Sequence, residues 1–399
     1  MHVAIVGGGP AGAMAAIRLA RAGASVTIFD ASHPREKPCG GGVTGRALAL
    51  IADVVDIASM PAVMVKAAIV EEPDTTDVMS AVTVRLPPSP GPRRTDTPTD
   101  LVVISREIFD KALLDAAVRS GAQLIAEKVT DISRLDRAWS VRTAHREHAA
   151  ELLLGADGAG GIVRKKVARP FLPSEISLAA GYFVHGISAS DIAIQSMTQQ
   201  PGYLWSFPRP DHLAVGVCAP AGGSTTSNDL RRQSLAWIHS HHNAGAGCRL
   251  EPYAWPIPSA GFNTAAGLCL AGPGWMLLGD AAGLVDPLTR EGIYYALLSG
   301  AWAAEAIAAR GASRPEAVYA DRVRHEIYPE LARAARLSGL FFSPGFSRLF
   351  VSALRESAAI RAVFRDLVAG TQPYRGLRRR LLATREWKLA GRALQLVVQ

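Results

Sequence analysis

The sequence predicts an α/β protein: a doubly wound sheet with an inserted, mostly antiparallel β domain and a C-terminal helical segment. Three observations support this fold. The chain opens with a short apolar run, a glycine-rich turn and an Ala/Leu-rich helical pattern, and short β-type segments recur between Leu172 and Leu270. Helical patterns dominate from Glu291 to the end. With 399 residues, 49% of them hydrophobic, the chain can form two or three buried cores.

Changes of pattern along the chain set the predicted boundaries. A Rossmann-like domain comes in three pieces, and other units interrupt and follow it. The predicted order is a first Rossmann-like piece at 1–62, a β excursion with a loose hairpin at 63–100, a second piece at 101–165, the inserted substrate domain at 166–268, a third piece at 269–335 and a helical region at 336–399. The hairpin tip is predicted at 87–92, because proline and glycine are concentrated there.

Composition and charge exclude several classes of protein. The net charge is +8, but residues 375–399 hold seven Lys/Arg and one acid, so the rest of the chain is nearly neutral. No nucleic-acid partner is expected, because such proteins spread basic residues over a folded face. Four scattered cysteines exclude a disulfide framework. The chain starts with a strand pattern and has no window of 18 apolar residues, so we expect no export signal, no membrane span and a cytoplasmic location.

The first motif is a GxGxxG turn between a strand and a helix, Gly7-Gly8-Gly9-Pro10-Ala11-Gly12. Gly7 permits a tight turn, Gly9 lets the backbone approach a pyrophosphate, and Gly12 lets the helix pack closely on the strand. The helix N-terminus offers unpaired N–H groups to the anion. Asp30 ends the next strand, where it can accept hydrogen bonds from a ribose. The predicted dinucleotide contacts are Gly7, Gly9, Pro10, Ala11, Gly12 and Asp30.

Two later acidic turns indicate which dinucleotide is bound. Gly155-Ala156-Asp157-Gly158-Ala159 and Gly279-Asp280-Ala281-Ala282-Gly283 each follow an apolar run. An extended FAD needs acceptors for its ribityl hydroxyls and a helix N-terminus near its pyrimidine. Glu291-Gly292-Ile293 is a candidate start of that helix. Either acidic turn alone is also typical of a helix N-cap. The three motifs in this order predict FAD, with further contacts from Asp157, Gly279, Asp280, Gly292 and Ile293.

The three motifs together resemble the hydroxylase-type flavoproteins, in which a β substrate domain is inserted in an FAD domain. The resemblance covers most of residues 1–310. It implies that Asp157 lies in the family's DG motif, and that Asp280 lies in its GD motif and faces the ribityl chain. It also implies a flavin contact for Arg106, which precedes a helix predicted from Glu107 to Ser120. A surface charge at the start of that helix is the alternative interpretation.

Two shorter strings resemble the geranylgeranyl reductases. Lys37-Pro38-Cys39-Gly40-Gly41-Gly42-Val43 is similar to their CGG segment, and Tyr203-Leu204-Trp205-Ser206-Phe207-Pro208 fits their YxWxFP motif. The first string implies that Cys39, Gly40 and Gly41 contact the flavin. The second implies a substrate cavity lined by Tyr203, Trp205, Phe207 and Pro208. Alternating aromatic side chains make an apolar wall suited to a hydrocarbon, although core aromatics of a β domain give the same pattern.

The chain departs from this family at two places. The proline that usually stands three residues before the Tyr is replaced by Gln200, and Pro201 follows one position later. In the last motif Arg290 replaces a glycine beside the flavin. If the backbone there has a positive φ, Arg290 is strained; if not, its guanidinium could neutralise the anionic edge of reduced flavin.

The resemblance implies an FAD-dependent reductase that saturates C=C bonds of a geranylgeranyl-type chain, in a prenyl compound or lipid, by hydride transfer from reduced flavin. Tyr203 and Cys39 are candidate catalytic residues, and a water is an equally good proton donor. The sequence contains no second dinucleotide fingerprint, so the electron donor is expected to be NAD(P)H on a transient visit or a ferredoxin-like protein. The alternatives are a flavin monooxygenase or halogenase of the same fold, and a flavin-bearing lipid-binding protein without turnover.

Two segments stand outside these motifs. In the tail 375–399 a helical wheel places one apolar face opposite a basic one: Ala383, Trp387, Ala390, Leu394 and Val397 against Arg378, Arg385, Lys388 and Arg392. Such a helix predicts either contact with the inner face of a membrane or docking on the protein. The cluster of His239, His241 and His242 has no acid or cysteine at metal spacing, so no metal site is predicted there.

Overall fold

A computed structural model describes residues 1–73, 80–86, 101–136, 138–197, 200–221, 225–242, 248–259, 267–309, 314–389 and 392. Its strands are β1 (His2–Val6), β2 (Ser25–Phe29), β3 (Gly42–Thr44), β4 (Ala62–Met64), β5 (Ala67–Glu71), β6 (Val82–Arg85), β7 (Leu101–Ile104), β8 (Gln123–Ile125), β9 (Asp131–Leu135), β10 (Ala138–Arg142), β11 (Glu147–Ala150), β12 (Leu152–Gly155), β13 (Ile176–His185), β14 (Ile192–Ser196), β15 (Tyr203–Pro208), β16 (His212–Pro220), β17 (Arg249–Pro258), β18 (Ala271–Gly272) and β19 (Trp275–Leu277). Its helices are α1 (Pro10–Arg21), α2 (Gly45–Ile51), α3 (Arg106–Arg119), α4 (Ile162–Val167), α5 (Ser227–His242), α6 (Ile293–Ala308), α7 (Pro315–Arg322), α8 (Tyr328–Phe341), α9 (Pro344–Glu356), α10 (Ala358–Val368) and α11 (Leu377–Ala383).

A six-stranded sheet in the order β18-β19-β12-β1-β2-β8 forms the first domain, and only β18 is antiparallel to its neighbour. Its central strands are buried apolar runs, as expected for a parallel sheet with both faces covered. Helix α1 packs closely on α6, since a Cβ added at Gly300 would overlap the carbonyl oxygen of Ala11. The predicted doubly wound sheet is confirmed.

A seven-stranded sheet in the order β17-β13-β16-β15-β14-β5-β6 forms the substrate domain. All its pairs are antiparallel except β14 with β5. Strands β5 and β6 come from the excursion predicted at 63–100, so this segment forms one edge of the inserted sheet. Helix α5 covers one face through Leu230 and Trp237. The predicted hairpin tip at 87–92 lies outside the described residues.

The C-terminal helices pack against that same edge of the sheet. Val351 and Leu354 of α9 are buried against Val70, Val82 and Val84. Burial of these side chains attaches the C-terminal region to the substrate domain. The chain end therefore joins the part of the molecule that the sequence pattern assigns to the inserted domain.

The prediction of one continuous amphipathic tail helix is wrong for the described residues. Helix α11 ends at Ala383, and Arg385 has a φ of 58°, which turns the backbone out of the helix before the short helical segment at 387–389. Before this break, Arg380 is tied to the body through Asp366 and Gln372. The predicted positions Ala390, Leu394 and Val397 lie outside the described residues.

Within the described ranges, no single helix is both long and apolar enough to cross a bilayer. The segments Pro315–Phe341 and Gly345–Glu356 meet the length and composition criteria only when taken together, and they are bent by 97° at their junction.

Candidate active site

The glycine-rich turn after β1 is packed as the motif predicts. Gly7 has a φ of 104°, and a Cβ added there would overlap the backbone of Ala156. A Cβ at Gly12 would overlap the carbonyl oxygen of Gly7. At Gly9, in contrast, the nearest neighbour of an added Cβ is His33 at 3.7 Å. Gly7 and Gly12 are therefore required by packing, whereas the space at Gly9 opens toward a ligand.

The start of α1 is free to bind an anion. Gly9 is its N-cap and provides no side-chain hydrogen bond to the helix. Pro10 and Ala11 follow at the first turn, and both line the same cavity as Gly7 and Gly9. Gly12 does not line this cavity, in keeping with its packing role. The uncapped N–H groups suit a pyrophosphate.

Asp30 lines the cavity but is already surrounded by donors. Its Oδ2 accepts hydrogen bonds from Gly8 N at 2.6 Å and His33 Nδ1 at 2.8 Å, and its Oδ1 accepts from Ser32 N at 2.6 Å and His33 N at 2.9 Å. Burial opposes ionisation, but His33 and these backbone N–H groups outweigh it and hold the pKa of Asp30 well below its usual range. The ribose contact of this permanently charged carboxylate stays a prediction.

His33 connects Asp30 to a buried ion pair that the sequence did not reveal. Its Nε2 lies 3.3 Å from Asp110 Oδ2, and Asp110 accepts two hydrogen bonds from Arg106 at 2.8 and 2.7 Å. Burial lowers the pKa of His33, but the two carboxylates outweigh it and raise that pKa. Arg106 is 4% exposed and lines the cavity, so the interpretation as a surface charge is wrong.

The second acidic turn holds a carboxylate that lacks one partner. Asp157 Oδ2 accepts a hydrogen bond from Val163 N at 2.9 Å, while Oδ1 is buried and has no hydrogen-bond partner in the described part of the chain. Burial raises the pKa of Asp157 to about 6. A Cβ at Gly161 would overlap this carboxylate. The N-cap of α4 is Gly161, so the interpretation of Asp157 as an N-cap residue is wrong, although its side chain accepts from the first turn of that helix. Asp157 also borders the cavity.

The third turn brings Asp280 to the start of α6. Lys37 Nζ donates a hydrogen bond to Asp280 Oδ2 at 2.9 Å, and a Cβ added at Gly292 would lie 3.3 Å from Asp280 Oδ1. Gly292 is the N-cap of α6 and provides no side-chain hydrogen bond. Asp280, Gly292 and Ile293 line the cavity, whereas Gly279 is buried beneath it. The predicted helix start beside an acidic turn is present.

The Cys39-Gly40-Gly41 loop is held by Arg209, which the sequence did not single out. Arg209 is fully buried and donates to the carbonyl oxygens of Gly40 at 2.7 Å and Cys39 at 3.2 Å. Burial lowers the pKa of Arg209. The Cys39 thiol accepts a hydrogen bond from Gly41 N at 3.3 Å. The three loop residues line the cavity and are positioned by Arg209, which directly follows β15.

The β15 aromatics alternate as the strand period requires. Tyr203, Trp205 and Phe207 line the cavity, while Leu204 packs under α5 on the opposite face. Pro208 is buried at the end of the strand and does not line the cavity, and its substrate contact stays a prediction. Pro208 lies on the same face of β15 as Leu204, because successive side chains of a strand point to opposite faces.

Tyr203 is held by two interactions. Its hydroxyl donates a hydrogen bond to the carbonyl oxygen of Thr289 at 2.8 Å, and its ring stacks on Phe342 with centroids 6.1 Å apart. Burial raises the pKa of Tyr203. The phenol therefore keeps its proton at neutral pH, and its O–H group is hydrogen-bonded to the carbonyl oxygen of Thr289.

Of the two alternatives for Arg290, the structure shows the one with a strained backbone. Its φ is 60°, the left-handed conformation that a glycine would adopt without strain. Its guanidinium donates to Ser259 Oγ and lies near the Cys218 thiol, both on the side of the substrate domain. Arg290 lines the cavity beside the aromatic wall.

These groups share one cavity with a volume of about 1920 Å³. One end is formed by the three nucleotide turns and the other by an apolar arm. The far wall of this arm consists of aromatic and aliphatic side chains from α8 to α11: Leu337, Leu340, Phe341, Phe342, Phe346, Leu349, Phe350, Phe364, Leu381 and Leu382. Several of the rings contact each other, with centroids 5.0 Å apart for Phe341 and Phe350. The sequence showed these helices but not their position over β15.

In the histidine cluster of α5, His241 makes structural contacts. His241 lies 3.1 Å from the Glu71 carboxylate and stacks on Trp237. His239 is exposed, and the side chain of His242 lies outside the described residues. A different group, His185, Asp211 and His212, brings metal-type ligand atoms within 4.8 Å of one another.

The residues present fit an FAD. Uncapped helix starts lie at both α1 and α6, the space at Gly9 is open, and Asp157 has a buried oxygen without a partner. The glycine turns, Asp157, Asp280 and the N-terminus of α6 would hold the nucleotide across the strand ends.

Comparison with known proteins agrees with this fit. A family model described as FAD binding domain matches residues 1–235. A geranylgeranyl diphosphate reductase from Rhodobacter capsulatus is 30% identical over 322 residues, which cover 76% of this chain and 73% of that protein. A menaquinone reductase from Mycolicibacterium smegmatis is 28% identical over 381 residues, which cover 90% of this chain and 89% of that protein.

Solved structures share the fold. A geranylgeranyl bacteriochlorophyll reductase-like protein from Thermoplasma acidophilum is similar with a TM-score of 0.76 and 19% identity, covering 96% of this chain and 98% of that one. A flavin-dependent brominase is similar with a TM-score of 0.69 and 21% identity, covering 96% of this chain and 99% of that one.

Fold and site together define an FAD-dependent flavoprotein of the α/β class. The chain belongs to the FAD binding domain family, alongside the geranylgeranyl reductases and menaquinone reductases. The resemblance in the sequence motifs is confirmed.

Proposed function

We propose that this chain is an FAD-dependent reductase that saturates C=C bonds of an isoprenoid chain. The observation that supports it most strongly is the continuity of one cavity from the nucleotide turns to an apolar arm walled by β15 and the C-terminal helices. A hydrocarbon chain gains about 25 cal/mol for each Å² it buries against such a wall. A charged chain would lose its hydration there without compensation.

FAD, when bound, supplies the hydride for this chemistry. The N–H groups at the start of α6 would hold its pyrimidine edge and favour negative charge there. An unactivated alkene acquires positive charge as a proton is added to it, from an ordered water in this proposal. The aromatic wall formed by Tyr203 and Trp205 would shield that charge from bulk water and stabilise it. The Tyr203 hydroxyl donates its hydrogen bond to the Thr289 carbonyl oxygen, so Tyr203 serves this wall as a positioned aromatic ring.

The test is anaerobic incubation of dithionite-reduced protein with geranylgeraniol and geranylgeranyl diphosphate. Mass spectrometry should show gains of two hydrogens per bond reduced. Binding without any mass gain would favour a lipid-binding protein instead. A product formed only in air, with oxygen incorporated or a halide added, would favour a monooxygenase or halogenase.

We propose NAD(P)H or a ferredoxin-like protein as the electron donor. A cofactor that visits transiently needs no second dinucleotide fingerprint, and the sequence contains none. Stopped-flow measurement of flavin bleaching with NADH, NADPH and reduced ferredoxin distinguishes the donors. Bleaching by ferredoxin alone would overturn the nicotinamide alternative.

We also propose that the chain works in the cytoplasm at the inner face of a membrane, where a lipid-borne prenyl chain would enter the cavity. Leu381, Leu382 and Trp387 line the cavity yet are 39%, 49% and 65% exposed, and Arg378 and Lys388 beside them are exposed cations. An anionic bilayer matches both features.

Liposome flotation tests this membrane contact. The double variant Leu382→Ser, Trp387→Ser should reduce binding to anionic vesicles, because each loses an inserted apolar side chain. The control Leu135→Ser changes a leucine that is 59% exposed on β9 and should bind like the parent. Equal binding of all three proteins would reject the membrane contact without affecting the reductase proposal.

A further inference from the structure

Arg290 stands out as a residue kept in an unfavourable backbone conformation. Its φ of 60° lies in the left-handed region that side chains with a Cβ rarely adopt. The geranylgeranyl reductases that this chain resembles usually have glycine at this position. Strain of this kind persists where the surrounding structure demands it, and it is concentrated at functional sites.

The Arg290 side chain extends into the cavity without meeting a carboxylate. Its Nη1 donates to Ser259 Oγ, and its Nε is buried without a hydrogen-bond partner in the described part of the chain. Within the same residues it forms no ion pair. The neighbouring acids are already engaged: Glu291 pairs with Arg46, and Asp286 accepts from Tyr374.

An incompletely paired guanidinium is costly at this position for two reasons. Its buried Nε loses its hydration and has no hydrogen-bond partner among the described residues. In addition, a positive charge beside the aromatic wall opposes the positive charge that an alkene acquires on protonation. A ligand that brings its own negative charge removes both costs. The planar guanidinium fork matches the oxygens of a phosphate or a carboxylate.

We propose that Arg290 binds the anionic head group of the prenyl substrate, a phosphate or a carboxylate, at the flavin end of the cavity. This proposal rests on the proposed function and narrows its substrate class to prenyl chains with an oxyanion at the head. The guanidinium reaches Ser259 and Cys218, which belong to the substrate domain, whereas the N-terminus of α6 faces the nucleotide end. This placement indicates that the positive charge of Arg290 binds the substrate and not the flavin.

The test compares ligands that share a chain and differ in the head group. The FAD-loaded parent, Arg290→Gly and Arg290→Gln are titrated with geranylgeranyl diphosphate, geranylgeranoic acid and the neutral geranylgeraniol. Glycine relieves the backbone strain and glutamine retains the length of the side chain. Arg249→Gln is the matched control, because Arg249 is an exposed arginine on β17.

Loss of a charge-assisted contact should weaken binding of the anionic ligand about ten- to a hundredfold in both Arg290 variants. Geranylgeraniol binding should stay unchanged, and Arg249→Gln should bind all three ligands like the parent. Selective loss for the diphosphate identifies a phosphate head, and selective loss for the acid identifies a carboxylate head.

Equal weakening for all three ligands, or none, would overturn the proposal. A shift in the flavin reduction potential with unchanged ligand affinity would also overturn it, since Arg290 would then act on the flavin. Failure of the proposed function gives a different result, because the parent protein itself would then reduce none of the three compounds.

Discussion

The two ends of the cavity are built in opposite ways. At the nucleotide end, Gly7 and Gly12 lie so close to neighbouring backbone that no Cβ fits. At the apolar end, Tyr203 and Phe342 stack although 139 positions separate them in the sequence. The first end depends on backbone geometry within a few consecutive residues, and the second depends on large side chains brought together from distant segments. The two ends should therefore respond differently to substitution.

The largest expected effect is at the nucleotide turn. Gly12→Ala places a Cβ against the Gly7 carbonyl, which must move and distort the pyrophosphate site. We expect the purified variant to retain less than about a tenth of the parent's FAD, measured by the ratio of flavin to protein absorbance. Gly339→Ala is the control, because nothing lies within 4 Å of that Cβ. Normal flavin content in Gly12→Ala would contradict the packing argument.

The next effect tests whether charge also holds the nucleotide end together. Asp110→Asn leaves the buried Arg106 without its carboxylate and leaves His33 with Asp30 alone, so the free energy of unfolding should fall by about 3 to 5 kcal/mol. Asp115→Asn, on the same helix α3, breaks only the exposed pair with Lys111 and should cost about 0.5 kcal/mol or less. Urea denaturation measures both. Similar losses of unfolding free energy in the two variants would show that burial does not increase the contribution of the network to stability.

A pH dependence follows from Asp157. Burial raises its pKa to about 6, whereas the unfolded carboxyl titrates near about 3.9. The native state therefore holds this proton to a higher pH than the unfolded chain. Its contribution to stability is fully present below about pH 4 and declines by about 2 to 3 kcal/mol as the pH rises through 6. Asp157→Asn lacks this titrating group. The difference in the free energy of unfolding between the parent and variant apoproteins should therefore change with pH by this amount. A difference independent of pH would refute the assignment.

The smallest effect is expected at the apolar wall. Trp205→Phe shortens an aromatic side chain that lines the cavity, and at about 25 cal/mol per Å² the lost contact should raise KM for a prenyl substrate severalfold. Its FAD content should not change. Leu204→Val, the next residue on the opposite face, should lower stability by roughly 1 kcal/mol with KM unaffected. An equal rise in KM for both variants would show that strand alternation does not define the wall.

Much of the nucleotide end could be predicted from the sequence. The GxGxxG turn, the two acidic turns and the start of α6 depend on short-range backbone requirements, and only a few residue types meet them. The buried network of His33, Asp110 and Arg106 could not be predicted, because its members are up to 77 positions apart and no local pattern pairs them. Arg209 was missed for the same reason, although it directly follows the YxWxFP string.

At the apolar end, sequence reasoning was correct for β15 and wrong for the tail. The alternation along β15 correctly placed Tyr203, Trp205 and Phe207 on one face, and period two also explains why Pro208 lies on the other. The tail was predicted as one helix because its helical wheel was amphipathic. The left-handed turn at Arg385 ends that helix, and no residue type in the tail signals the turn.

The sequence by itself determined the α/β class, the order of the nucleotide turns and the aromatic face of one strand, because each depends on local spacing and backbone conformation. Only the tertiary structure decided that β5 and β6 join the inserted sheet, that α8 to α11 close the cavity over β15, and that Arg290 extends toward the substrate side. For Arg290 the structure decided the contact with Ser259, and its role toward a substrate stays a proposal. These outcomes result from packing between segments far apart in the chain, where many pairings satisfy the same hydrophobic pattern and only the assembled core selects one.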